Sequence, residues 1–207
     1  MAATIHPRAL TTLARVKARL GISVSTLDDL LTEMISAATD LIESYCDRKF
    51  KSDTYTSEVY GLDVEDGHFV ALKQAPVTAL TTAQYRAGTP DVPAWTSYLA
   101  SEFELVGDGR AGLVRIYGGV PTGTNNVRFT YTAGYLIDFT NEGDITKHTL
   151  PFDVSDLCER IVIRLFKRRE DVGKTTVSAG EASVSYRASF DEEDKMTLER
   201  YRRVVLV

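Results

Sequence analysis

The stretch that decides the fold runs from Ser25 to Lys49, STLDDLLTEMISAATDLIESYCDRK. Leu27, Leu30, Leu31, Met34, Ile35, Ala38, Leu41, Ile42 and Tyr45 recur at three-and-four spacing and make one continuous stripe on a helix. Asp28, Asp29, Glu33, Asp40, Glu43 and Asp47 fall off the stripe and are expected on a polar face. Ser25 or Thr26 is placed to cap the free amides at the start, where the nearby aspartates suit the positive end of the helix. No Pro or Gly interrupts the pattern. At about 1.5 Å per residue such a helix spans more than ~30 Å, about the width of a small domain, so other elements must pack along it.

Upstream, the spacing predicts a short helix over Thr12 to Leu20, with Leu13, Val16 or Lys17, and Leu20 as a thin apolar edge. Gly21 suits the left-handed residue after its end and Ile22 can fold back on the last turn. The short connection Gly21 to Ser25 then sets the two helices as a tight hairpin. Downstream of Phe50 the pattern becomes alternating. Tyr55 to Tyr60, His68 to Leu72 and Val77 to Tyr85 read as strands punctuated by Gly61, Gly67 and Pro76. Arg86 to Trp95, with Gly88, Pro90 and Pro93, reads as a loop that Trp95 pins to a neighbouring surface. Phe103 and Leu105, then Gly107 to Arg110, then Leu113, Val114 and Ile116 predict a hairpin. Val127, Phe129 and Tyr131 alternate with Arg128, Thr130 and Thr132 as a half-buried strand.

Asn141 to Thr149 is polar and reads as a linker back to helix. Pro151 or Asp153 starts the next helix, whose stripe is Val154, Leu157, Cys158, Ile161, Val162, Leu165 and Phe166. Lys167, Arg168 and Arg169 lie at its end, where the helix dipole favours cations. Val177, Ala179, Ala182, Val184 and Tyr186 suggest a small hairpin turning at Gly180. A last helix, 192 to 203, has an acidic first turn in Asp191 to Asp194 and a stripe of Leu198, Tyr201, Val204 and Val205. The fold class is therefore α+β. A helical bundle core, a long central helix with N- and C-terminal helices, takes residues 1–51 and 136–207, and a β-rich unit of residues 52–135 is inserted in it.

Composition sets outer bounds. With 207 residues, 43% of them hydrophobic and 26% charged, the chain can bury a real core and is not a disordered polymer. No apolar run has the length needed to cross a bilayer, and the opening MAATIHPRAL lacks the apolar centre of a secretory signal, so the protein is expected to stay where it is made. Cys46 and Cys158 fall in predicted helices and read as reduced, partly buried thiols in a cytoplasmic setting. A formal net charge of −5 argues against a dedicated nucleic-acid binder.

Chemistry is sparse. Gly173-Lys174-Thr175 lacks the earlier glycine of a phosphate loop, since Arg168 stands in its place. His6, His68 and His148 have no second ligand at metal-site spacing and read as surface histidines. No nucleophile elbow is present, and Ser155 and Ser178 have no recognisable partner set. Asp191 to Asp194 read as solvated carboxylates that stabilise a helix start rather than as an acid–base pair. The cluster Arg164, Lys167, Arg168 and Arg169 has no interleaved aromatics for base stacking and reads as a solvated or inter-subunit cluster. No catalytic residue, cofactor or metal ligand is assigned.

The order of the motifs resembles the head-tail connector (adaptor) proteins of tailed phages, the gp6-like and gp15-like group. The shared order begins with Leu-x-x-x-Lys-x-x-Leu-Gly-Ile at Leu13 to Ile22, then the Asp28-Asp29 start of a long helix ending Leu41-Ile42-Glu43-Ser44-Tyr45. It continues with Pro76-Val77, the run Val127 to Tyr135, and Leu150-Pro151 opening a helix that ends Lys167-Arg168-Arg169-Glu170. Ser183-Val184-Ser185-Tyr186 and Leu198 to Arg203 close it. The family's smaller members are mostly helical, so the β-rich insert is a departure.

The resemblance implies a structural virion protein at the head-tail interface. It implies a homo-oligomeric ring, commonly of twelve copies, bound to a portal on one side and a tail or stopper protein on the other, with DNA passing through and no membrane involved. A subunit with mixed-sign ends suits the heterologous contacts of a ring. Twelve copies would carry a formal charge of about −60, which would keep the channel from gripping the phosphate backbone. Two other roles compete: a tail-completion or tail-terminator ring protein, which would be dominated by a β sandwich, and a DNA-packaging or nucleic-acid-binding factor using Arg164 to Arg169. For the connector, the expected subunit and portal contacts are Arg164, Lys167, Arg168 and Arg169 opposite Asp191, Glu192, Glu193 and Asp194, with Tyr201 and the apolar end Val204, Val205, Leu206 and Val207.

Overall fold

The computed structural model describes residues 4–61, 69–87, 92, 94–119, 125–169, 176–179, 182–185 and 190–203. In chain order the elements are α1 (Leu13–Leu20), α2 (Asp28–Cys46), β1 (Asp53–Tyr60), β2 (Phe69–Ala71), β3 (Val77–Arg86), β4 (Trp95–Ser97), β5 (Phe103–Leu105), β6 (Leu113–Ile116), β7 (Val127–Ala133), α3 (Phe152–Arg168), β8 (Thr176–Ala179), β9 (Ala182–Ser185) and α4 (Glu192–Glu199). This is the α+β mixture expected from the sequence. The chain divides into two compact units, Met1–Phe50 with Ile137–Arg202, and Lys51–Leu136 with Arg203–Val207.

The first unit is helical. Thr12 caps α1 by accepting from the Arg15 N–H at 3.3 Å, and Gly21 at φ +67° ends it as the Ile22 N–H reaches back to the Lys17 carbonyl at 3.0 Å. The long helix α2 starts later than expected, because Leu27 occupies the cap and no side chain closes it. Its buried face is Leu31, Ile35, Ala38, Ile42 and Cys46, with Thr32 and Thr39 among them, while Met34 and Leu41 are only half-buried. Glu43 corrects the expected polar face. Its side chain is buried and its carboxylate accepts from Arg8 Nε at 3.1 Å, Lys49 Nζ at 3.0 Å and the Phe50 N–H at 3.1 Å. Three donors thus replace the water that the burial removes.

Helix α3 lies along α2, and both α1 and α4 pack on that pair. Val154, Leu157, Cys158, Ile161, Val162 and Phe166 form its buried stripe, as the spacing predicts, with Leu165 at the margin. Strands β8 and β9 follow α3 as an antiparallel hairpin in which Val177 faces Val184 and Ala179 faces Ala182. Gly180, expected at its turn, lies outside the described residues.

The second unit holds two antiparallel sheets, ordered β1-β7-β3-β4 and β2-β6-β5. Central β7 buries Val127, Phe129, Tyr131 and Ala133 and leaves the residues between them half-buried, the period-two pattern of a strand with one face in a core. Val70, Leu72, Val114 and Ile116 of the smaller sheet join the same core. Strand β1 carries a bulge between Tyr55 and Glu58, where Ser57 adopts φ +53°. Trp95, expected in a loop, instead opens the short edge strand β4 paired with Arg86, and the Arg128 guanidinium lies 4.5 Å from the centre of its ring. Glu58 accepts from both Tyr60 and Tyr131, whose hydroxyls are pushed well above the usual tyrosine value, chiefly by burial.

Candidate subunit interface

Helix α3 places Asp156, Glu159, Arg160 and Arg164 at three-and-four spacing, so one flank of it carries both signs of charge. Helix α1 brings Arg15 and Arg19, one turn apart, to that flank, and the start of α4 brings Asp191, Glu193 and Asp194. The result is a continuous chain of ion pairs within the helical unit. Glu142 meets Arg15 at 3.1 Å, Arg15 meets Glu159 at 3.2 Å, and Glu159 meets Arg19 at 2.7 Å. Arg19 then holds Asp156, which pairs with Arg160 at 3.2 Å. Arg160 approaches Asp194 at 3.7 Å, and Arg164 closes the chain on Asp194 and on Asp191, the latter at 3.0 Å.

Two of these carboxylates are buried, Glu159 at 3% exposure and Asp194 at 0%. Glu159 also accepts from the Thr11 hydroxyl at 3.0 Å. Asp194 completes a capping box: the Asp191 side chain accepts from the Asp194 N–H at 2.9 Å while Asp194 accepts from the Asp191 N–H at 3.2 Å. These contacts have electrostatic consequences. The hydrogen bond to Asp156 raises the Arg19 pKa, and the Asp194 N–H, with Arg164 nearby, holds Asp191 below the usual aspartate value.

The residues expected at an interface therefore divide. Arg164, Asp191 and Asp194 engage one another inside the subunit, and of the four carboxylates Asp191 to Asp194, expected to be nearly all solvated, Asp194 is buried. Tyr201 is also engaged internally, donating to Asp153 at 2.7 Å with the Phe50 ring 6.0 Å away. Lys167, Glu192 and Glu193 are exposed, Glu192 pairing with Lys195 at 2.7 Å. Arg168 is half-buried; Arg169 covers the Phe166 ring at 4.0 Å and donates to the Phe166 carbonyl at 2.7 Å. Val204, Val205, Leu206 and Val207 lie outside the described residues.

Glu43 and Glu159 were hidden in the sequence because a helical stripe reports apolar positions only. Arg15 and Arg19, one turn apart in a short helix with little apolar edge, were the available signal. An open cleft of about 410 Å³ beside Arg15 is lined by Glu142, Ile145, His148 and Phe152, with Ile145 and Phe152 largely exposed. His6 and His148, expected at the surface, are half-buried: the first accepts from the Arg8 N–H at 3.2 Å and the second from the Asp138 N–H at 3.2 Å. His68 lies outside the described residues. Among the described residues, no group of three His, Cys, Asp or Glu is arranged to hold a metal ion, and no helix is long and apolar enough to cross a membrane.

Comparison with known proteins bears on this arrangement. Residues 10–84 match the family model of the phage gp6-like head-tail connector protein. That segment takes in α1, α2, β1, β2 and nearly all of β3, so the gp6-like pattern runs on into the β-rich unit that was expected to depart from it. Among solved structures, the chain is similar to one from the neck of an empty gene transfer agent (GTA) particle computed with C6 symmetry, at 20% identity and a TM-score of 0.60, covering 100% of this chain and 96% of that one. It is also similar to one from the virion of a native gene transfer agent particle, at 18% identity and a TM-score of 0.58, with the same coverage. At such identities these likenesses concern the whole fold, the β-rich unit included. No curated protein matches the sequence.

Proposed function

We propose that this protein is a structural virion subunit, a head-tail connector that joins capsid to tail and lets DNA pass. The gp6-like match over residues 10–84 carries the reading, and the end-to-end likeness in fold to a particle-neck chain supports it. The connector works as a ring, twelve copies being the natural count for the family, with a portal above and a tail or stopper protein below. Its role is mechanical and not catalytic.

The ring contacts are made by the segment from Arg164 to Val207. Lys167, Arg169 and the outer carboxylates Glu192 and Glu193 are among the exposed charges there, while the Arg164 and Asp194 pair holds the segment in place. Opposite signs on one chain give a heterologous contact its register. The aliphatic end Val204 to Val207 serves as a second, apolar handle, covered by a neighbour or by the portal.

The decisive experiment is the mass of the purified protein alone and after mixing with its portal. A ring, formed alone or on the portal, is the expected outcome; a monomer under both conditions would overturn the reading. The same measurement on a chain ending at Arg203, and on one with Arg168 and Arg169 reversed to Glu, locates the contact. Both should stay folded and fail to assemble.

A further inference from the structure

We infer that the outward face of the β2-β6-β5 sheet, centred on Arg115, is the surface that grips the tail or stopper protein, and that it receives a carboxylate which that partner presents among apolar side chains. Side chains alternate along a strand, so the register divides this sheet into two faces. Val70, Val114 and Ile116 point into the core of the β-rich unit. Phe69, Arg115 and Glu104 lie side by side on the other face, with Leu113 and Val106 in the next row, where the Val106 N–H donates to the Leu113 carbonyl at 2.9 Å. Phe69 is 44% exposed and Tyr117, two residues beyond Arg115, is 50% exposed. Single apolar side chains at a surface mean little, but a face that groups aromatic and aliphatic residues around one arginine has the make-up of a protein contact.

Arg115 is held in place without an ion pair. Its guanidinium carbon lies 5.5 Å from the centre of the Phe69 ring and 4.8 Å from that of Tyr117. Two rings restrict a long side chain, so less freedom is lost when a partner arrives. Glu104 stands across the ladder from Arg115, yet it accepts from the Tyr117 hydroxyl, and among the described residues no carboxylate pairs with Arg115. Its forked donors are left for a carboxylate from outside. Charge also selects the occupant. Duplex DNA is held through many phosphate contacts by several Lys or Arg side chains, whereas Arg115 is the only cation in the three strands and has Glu104 beside it. One heterologous contact closes a ring, and the segment from Arg164 to Val207 already supplies it together with the portal handle. The partner still without a surface is the one on the tail side.

This inference rests on the connector reading above, and its test separates the two. Rings of the full chain on the portal are titrated with the purified tail or stopper protein. Arg115→Glu and Phe69→Ser should each form rings in wild-type yield, melt at the wild-type temperature and bind that protein at least tenfold more weakly. Arg110→Glu makes the same change of charge at a side chain 87% exposed in the turn before β6, and should bind within twofold of wild type. In parallel, Tyr117→p-benzoylphenylalanine is irradiated in assembled particles, where the cross-link should fall on the tail or stopper protein. A cross-link to a second copy, to the portal or to DNA overturns the assignment, as does wild-type affinity in Arg115→Glu, and each leaves the connector reading intact. Loss of the ring itself in Arg115→Glu, with a wild-type melting temperature, makes this face a contact between copies and overturns the assignment too. Absence of any ring from the wild-type chain overturns both readings.

Discussion

Arg164 on α3 grips the carboxylate of Asp194, which is wholly buried at the start of α4 and at the same time caps that helix reciprocally with Asp191. One aspartate thus fixes the position of the last helix and the direction in which it leaves α3. Substituting Asp194 by Ala removes the reciprocal half of the capping box and takes from Arg160 and Arg164 the buried carboxylate they share, leaving them Asp156 and Asp191. Breaking a buried pair from one side costs about 3–5 kcal/mol. Urea unfolding should show a loss of that order, whereas Glu192→Ala, at an exposed neighbour, should leave the midpoint nearly unchanged.

The long helix gives an internal control. Ile42 is fully buried and Leu41 beside it only half so. Ile42→Ala should cost about 2–5 kcal/mol, and Leu41→Ala clearly less. Equal losses would mean that the packed face of α2 is not the one described.

In the β-rich unit, Glu58 accepts from the hydroxyls of both Tyr60 and Tyr131. Glu58→Ala leaves the two buried hydroxyls only each other, 3.2 Å apart, and the Lys73 N–H that Tyr60 already accepts. Loss of satisfied partners at buried groups costs about 1–3 kcal/mol. The expected readout is a lower melting temperature, with Tyr131→Phe closer to wild type because it removes the donor along with its need.

Cys46 and Cys158 are buried thiols whose pKa values are pushed up to about 12, burial being the main cause for each. The thiolate is the reactive form, so iodoacetamide at pH 8 should label neither in the native protein and both after denaturation. Because the folded values are raised, their contribution to stability is fully present below the unfolded thiol value and is lost as pH rises towards about 12.

Acid acts through Asp191. Its pKa is lowered, first by the hydrogen bond from the Asp194 N–H and then by Arg164, so its contribution is complete above the usual aspartate value of 3.8 and fades as pH falls through the lowered one. Asp191→Asn keeps an oxygen for the cap but removes the titration. Its stability should fall less steeply than wild type in melts recorded below pH 4.

Ser25 to Lys49 was enough to place a long scaffold helix, and Thr12 with Gly21 was enough to bound α1, because caps and three-and-four spacing are local. The alternation at Val127 to Tyr131 likewise gave the central strand, and the order of weak motifs gave the connector resemblance. What only the tertiary structure decided was where the charges go. Glu43 and Asp194 read as polar or solvated positions and Glu159 carried no reading, yet each is buried against cations from other segments: Arg8 for Glu43, Arg15 and Arg19 for Glu159, Arg164 for Asp194. Strand β4 was missed for the same kind of reason, since three residues carry no period and Trp95 becomes a strand residue only by pairing with Arg86. Periodicity reports which face of an element is apolar. Whether a carboxylate on its margin is desolvated depends on a partner brought up from far along the chain, and no local pattern encodes that partner.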